Sequence, residues 1–432
     1  LARLLANTPN QPDPPAARGN LKTVTPLPFD PGDPEFLADP YPVFDALRER
    51  GEVQFHPGMG MAVALSHSAC SAVLRDRELG RVFDDAQPVE SFAFFNLLHH
   101  HSLLENEPPA HTRLRRIVSA AFSRGHIERL RPWVAGTTTA LVHELVTRIR
   151  DDGSADLLER LANPLPVQVI AELLGVPEAD RSLLQPWSNA IVKMYEYGLP
   201  EQQQQAAERA AREFVGYLRE LAAARRASPA SDFMSELATG PLGDDETVAT
   251  AALLLMAGHE ASVNTVGNGV LALLRDRAQW ELLVADPGLA ESAVEEVIRF
   301  DSPLQCFERT AATDLTIAGY PIRSGERVVA LLGAAAHDPA VFDRPNSLHI
   351  RRAPNPHLGF GGGIHYCLGA PLARIEAAAA LRALVTTIPD LELASEPVRR
   401  KEFVIRGLQT LSVTGHRDAP SGRAARPAAG AP

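Results

Sequence analysis

One cysteine, Cys367, stands in the stretch Phe360-Gly361-Gly362-Gly363-Ile364-His365-Tyr366-Cys367-Leu368-Gly369. Pro371 follows within the first turn of what reads as a helix, a favoured place for proline. Cys367 therefore sits at a helix N-terminus, where the dipole and free N–H groups favour a thiolate. The glycines allow unusual backbone angles and the close approach of a flat ligand. A thiolate held by backbone N–H groups suits a tuned metal site, and His365 could reach an anionic group beside such a metal. The plainer alternative is a small buried hydrophobe, as most free cysteines are.

Spacing tests the competing chemistries. A dinucleotide loop needs G-x-G-x-x-G after a strand, but Gly361 and Gly363 are followed by Tyr366 and preceded by a proline-rich segment. A zinc protease needs H-E-x-x-H, but His259-Glu260 is followed by Val263. The run His99-His100-His101 lies in a stretch read as irregular, where adjacent side chains rarely converge on one ion, so no metal site is assigned to it. A cysteine hydrolase would need a distant His and Asn; nothing in the chain points to one.

Three further groupings carry chemistry. His111 and Arg115 lie four apart on a helix entered after Pro108-Pro109 and share one face. Glu296 and Arg299, three apart, form a helical ion pair, usually a surface feature. Gly258 and His259-Glu260 interrupt the longest helical pattern, Asp244 to Arg275. A mid-helix glycine costs about 1 kcal/mol relative to alanine, so a glycine beside a carboxylate in a core helix needs a reason. Close approach of a ligand is one.

The elements that position these groups are mostly helices. The central pattern would span roughly 45 Å at about 1.5 Å per residue, with Asp244, Asp245 and Glu246 at its N-terminal dipole. Helical patterns also run through Leu130–Arg150, Leu157–Leu174, Ser182–Tyr197, Glu201–Arg226 and Leu289–Phe300, and from Cys367 to about Thr387. Strands are read at Val53–Phe55 and Met61–Leu65, and between Leu315 and Leu332. Residues 80–104 read as irregular, with Phe92, Phe94 and Phe95 as candidates to line a pocket. Residues 1–28 read as a flexible tail, 29–415 as one domain, and 416–432 as a disordered tail. There is no internal repeat.

The 432 residues are 45% hydrophobic and 22% charged, an ordinary globular composition with ample core material. The net charge of −11 argues against a nucleic-acid surface. Cys70, Cys306 and Cys367 are too few and too scattered for a disulfide framework or zinc ribbon, which fits a reducing cytoplasm. No apolar run reaches the roughly 18–20 residues of a membrane span, and the N-terminus lacks signal-peptide order.

Together these residues resemble the cytochrome P450 family of haem-thiolate monooxygenases. The resemblance rests on Phe360-Gly361-x-Gly363-x-His365-x-Cys367-x-Gly369, Ala257-Gly258-His259-Glu260, Glu296-x-x-Arg299, and Pro108-Pro109-x-His111-Thr112-x-x-Arg115 with Arg309, all in the family's order. It implies a mainly α, single-domain fold with a long central helix and a small β region near the termini. It also implies haem b with Cys367 as the metal ligand, and His111, Arg115, Arg309 and His365 on the haem propionates. Phe360, Gly361 and Gly369 would belong to the haem loop. Gly258 would open the central helix beside bound O2, and Glu260 would belong to the proton-delivery region, with Ala261 and Ser262 following it in this catalytic segment. Glu296 and Arg299 would brace the core. Leu254, Leu304, Phe307 and Leu408, with the three phenylalanines, would contact a hydrophobic small molecule. Electrons would come from NAD(P)H through a ferredoxin reductase and a ferredoxin, which Arg113 and Arg116 could receive.

Two departures from the family pattern stand out. Thr usually follows the central acid; here Ala261 does, and Ser262 lies about 100° further round the helix. The arginine that completes the Glu-Arg triad would fall near Ser347, leaving Arg344 or a neighbour to serve. The expected reaction is oxygen insertion during natural-product biosynthesis. Ala261 keeps open oxidative coupling, a peroxide-driven reaction, or a non-catalytic haem- or ligand-binding protein.

Overall fold

A computed structural model of the chain describes residues 29–122 and 124–415; both expected tails lie outside this range. The central helix runs over Asp244–Arg275, with Glu246 accepting the N–H of Gly243 at its start (3.2 Å). Between Thr247 and Leu271 only Ala257, Gly258, Ala261 and Thr265 are not buried. Positions 257, 261 and 265 lie along one line of the helix, so this interior helix presents one face to an empty space.

The helix Pro164–Leu174, the helix Arg181–Val192, the helix Glu201–Ala227 and the helix Ala370–Thr387 pack around it. A Cβ at Gly258 would come within 2.9 Å of Ile170. Packing against Ile170 thus gives the glycine a reason of its own, and the helix is continuous through Gly258.

Glu296 and Arg299 pair at 2.8 Å with both side chains fully buried, not on the surface. Burial is tolerable because every strong group is answered. Arg299 also donates to the carbonyls of Ala336, Pro345 and Ser347. The third member is Arg352, whose Nε lies 2.9 Å from Glu296. Arg344 is an exposed residue paired with its neighbour Asp343. The backbone of Ser347 does lie in this knot, accepting from both Arg299 and Arg352.

The main sheet has five strands in the order 53–56, 61–64, 327–331, 306–311 and 79–80. Two of its three inner strands, 327–331 and 306–311, come from the second half of the chain well before its end, so the β structure is not confined to the ends. Cys306–Ala311, not assigned to a strand from sequence, pairs along its length with Arg327–Leu331. The charged Glu308-Arg309 pair hides its alternation.

The stretch 80–104 contains a helix, Ala93–His100. Its N-terminal N–H groups at Phe94 and Phe95 donate to the carboxylate of Glu208 (3.2 and 2.9 Å), on another helix. The cap a helix needs is supplied from over a hundred residues away, so no local signal marks it. Among the described residues no helix is long and apolar enough to cross a membrane, and no His/Cys/Asp/Glu group is placed to hold a metal ion. His99 instead contacts the carbonyl of Phe95 and the hydroxyl of Tyr195.

Candidate active site

A cavity of about 290 Å³ separates the central helix from the loop carrying Cys367. The Cys367 N–H donates to the carbonyl of Phe360 (2.9 Å), closing the loop. Burial pushes the Cys367 thiol up; the N–H groups of Gly369 and Ala370, then the guanidiniums of Arg115 and Arg374, pull the other way. Gly361 and Gly363 have φ of 72° and 66°, the left-handed region that favours glycine. A Cβ at Gly363 would strike the carbonyl oxygen of Leu74 at 2.5 Å, and one at Gly362 would crowd Leu74 and Arg75. These two glycines therefore make room for the helix His67–Arg75. Arg374 lies over the ring of Phe360 (4.4 Å) and binds Glu295 through Nε at 2.6 Å, bracing the loop from the helix behind it.

Beside the loop stands a group of cations. His111 and His365 approach to 4.5 Å between rings, and Arg115 donates to the carbonyl of Tyr366 (2.7 Å). His365 Nε2 meets Glu107 Oε1 at 2.8 Å. Nε2 of His111 is buried without a partner. Burial, with His365 and Arg115 nearby, pushes His111 down to about 4. Burial and the neighbouring Arg81 push Arg309 down to about 9. Each cationic form is disfavoured as the site stands, and an anion placed among them would relieve all of them.

Across the cavity, Gly258, Glu260, Ala261 and Ser262 form part of the wall. Glu260 is paired with Arg400 at 2.9 Å. Ser262 lies beside Glu376, and both line the cavity. Glu376 is 2% exposed, its Oε2 has no partner, and burial pushes it up to about 8, with the Ser262 hydroxyl opposing the rise. Thr265 donates to the carbonyl of Ala261 (2.8 Å).

Comparison with known proteins decides the family. The chain is 37% identical over 404 residues to the cytochrome P450 monooxygenase PikC of Streptomyces venezuelae, covering 90% of this chain and 94% of that protein. It is 34% identical over 408 residues to the polyketide biosynthesis cytochrome P450 PksS of Bacillus subtilis, covering 90% and 98%. The chain belongs to the cytochrome P450 family. The family model for cytochrome P450 matches residues 285–388. A third relative, the 6-deoxyerythronolide B hydroxylase of Saccharopolyspora erythraea, is 39% identical over 317 residues, 71% of this chain and 76% of that one. Among solved structures, P450BioI in complex with an acyl carrier protein superposes with a TM-score of 0.84 at 33% identity, covering 88% of this chain and all of that one. Such P450 enzymes are oxidoreductases that incorporate oxygen.

The P450 family implies a haem iron, and the residues present fit one. A thiol stands at one wall of the cavity, an orphaned imidazole nitrogen and several basic side chains stand ready for carboxylates, and most of the remaining lining is apolar. Leu254, Leu304 and Phe307 line this P450 cavity. Phe92, Phe95 and Leu408 do not; they are buried in the core. Phe94 is half-buried beneath Arg212. Arg309 is buried in its strand, donating to the carbonyl of Glu308 (2.7 Å). Arg113 is paired with Glu246, leaving Arg116 alone of the two expected surface cations.

Sequence reasoning missed Glu376, Arg81, Glu105 and Glu107. Glu376 had a signal. It lies four residues after Leu372 and four before Ala380, on the apolar stripe of an alanine-rich helix.

Proposed function

We propose that the protein is a haem-thiolate hydroxylase of a largely apolar small molecule in natural-product biosynthesis. The observation that carries this reading is the Ser262–Glu376 pair in the lining of the cavity that holds Cys367, because it offers an answer to the absence of threonine at position 261. When bound, the haem iron would activate O2 with two electrons and two protons, so that one oxygen atom enters the substrate and the other leaves as water.

Cys367 would hold the iron, and His111, Arg115, Arg309 and His365 would bind its carboxylates through charge-assisted hydrogen bonds. Glu376 would carry a proton at neutral pH and pass it through the Ser262 hydroxyl to the cavity. Glu260, held by Arg400, would keep a second acidic group at the same wall. Leu254, Leu304 and Phe307 would exclude water and seat an apolar substrate. Its natural-product class is supported by the polyketide-related names of relatives PksS and 6-deoxyerythronolide B hydroxylase. Electrons would reach it from NAD(P)H through a ferredoxin reductase and a ferredoxin in the cytoplasm.

Turnover under isotopically labelled O2, with a ferredoxin pair and a panel of macrolactones, tests the reaction. The reading expects one labelled oxygen atom in the product. A coupled or dehydrogenated product without label would overturn it.

A further inference from the structure

Arg81 follows the edge strand Leu79–Gly80 and reaches the cavity wall with 9% exposure. One nitrogen, Nη2, is bound to Glu105 at 2.5 Å, and that carboxylate is itself buried. Nε of Arg81 is buried with no acceptor among the described residues. Its main chain is fixed as well: the Arg81 N–H donates to Glu107 Oε1 (2.7 Å), the same oxygen that meets His365. Glu107 thus ties Arg81 and His365 into one assembly.

A guanidinium has five donors in a rigid fork that matches a carboxylate. Leaving a charged donor unanswered in the interior is costly, yet the Glu105 contact holds Arg81 where it is. Arg309 lies near Arg81, and burial and that like charge disfavour its cationic form despite Glu107 and Glu105. The vacant donor of Arg81, buried at the cavity wall, calls for an anionic oxygen ligand.

We propose that Arg81 is a carboxylate-binding residue of the cavity, with Glu105 and Glu107 as its positioning residues. The inference rests on the reading that haem lies beside Cys367. The carboxylate has two possible sources, a haem propionate or an acidic substrate.

The test uses the haem-loaded protein. Arg81→Gln combined with Glu105→Gln removes both charges and leaves neither buried alone; Arg81→Lys keeps the charge but not the fork. Haem transfer to excess apomyoglobin reads the propionate contact, and spectral titration with a long-chain fatty acid against its alcohol reads a substrate carboxylate. Loss of one charge-assisted bond corresponds to about tenfold or more. Haem release faster by about that factor, with Arg81→Lys intermediate, assigns the propionate. Unchanged release with fatty-acid binding weaker by about that factor, and the alcohol unaffected, assigns the substrate. Both outcomes support the proposal. Unchanged values in both assays, in variants that keep the wild-type carbon monoxide spectrum, overturn it. If wild type itself lacks the thiolate spectrum, the haem-thiolate reading falls first.

Discussion

Ser262 on the central helix lies beside Glu376 on the helix that follows Cys367. Both side chains line the cavity, and Oε2 of Glu376 is left without a partner. A buried, mostly neutral carboxylic acid beside a hydroxyl can serve as a proton source.

The pair should be visible in stability. Glu376 rises from 4.5 to about 8 in the folded protein, so the folded state retains a proton that the unfolded chain releases. Its contribution is fully present below about 4.5 and is lost as pH rises through about 8. Glu376→Gln should therefore gain stability relative to wild type as pH rises across this window. Denaturant unfolding at several pH values measures the difference; a pH-independent difference would contradict the assignment.

The same pair should be visible in turnover. Ser262→Ala and Glu376→Gln should each lower product formed per electron by about a hundredfold, the lower end of the range for positioned proton transfer. Ala261→Thr should bring no gain, because the wall already holds a hydroxyl and an acid. Improved coupling in Ala261→Thr would show that the pair does not serve.

The buried knot at Glu296 separates two arginines that sequence alone could not. Arg299→Ala leaves a buried carboxylate short of its main partner and should cost about 3–5 kcal/mol. Arg352→Ala leaves Arg299 in place and should cost about 1.5–3 kcal/mol, the range for a charged hydrogen bond. Arg344→Ala should stay within about 0.5 kcal/mol. Denaturant midpoints of the three variants give the ranking.

The cavity also has a fastening over its rim. Glu196 accepts the N–H groups of Phe403, Val404 and Ile405 at 2.8, 3.0 and 2.8 Å, and Tyr197 donates to Glu308 at 2.9 Å. Tyr197, Val404 and Ile405 line the cavity. Glu196→Ala should speed both association and release of a bulky azole and deprotect these three amides in hydrogen exchange. Unchanged azole kinetics would show that ligands enter elsewhere.

Much of this was legible in the chain because it is local. The turn before Cys367, the apolar run of the central helix and the three-residue spacing of Glu296 and Arg299 each lie within one element. What escaped is carried by contacts across the chain. Arg352 reaches Glu296 over 56 positions, Glu208 caps a helix 113 positions away, and Glu107 meets His365 over 258. The glycines before Cys367 were correctly placed but for a partial reason, since two of them make room for a neighbouring helix. No periodicity encodes which loops meet.

The carbon monoxide spectrum of the reduced protein tests most directly whether Cys367 ligates the haem iron. Wild type should give the red-shifted Soret band of thiolate ligation, and Cys367→His should retain haem while losing that band. An unshifted band in wild type, or a shifted band that survives in Cys367→His, would contradict the account.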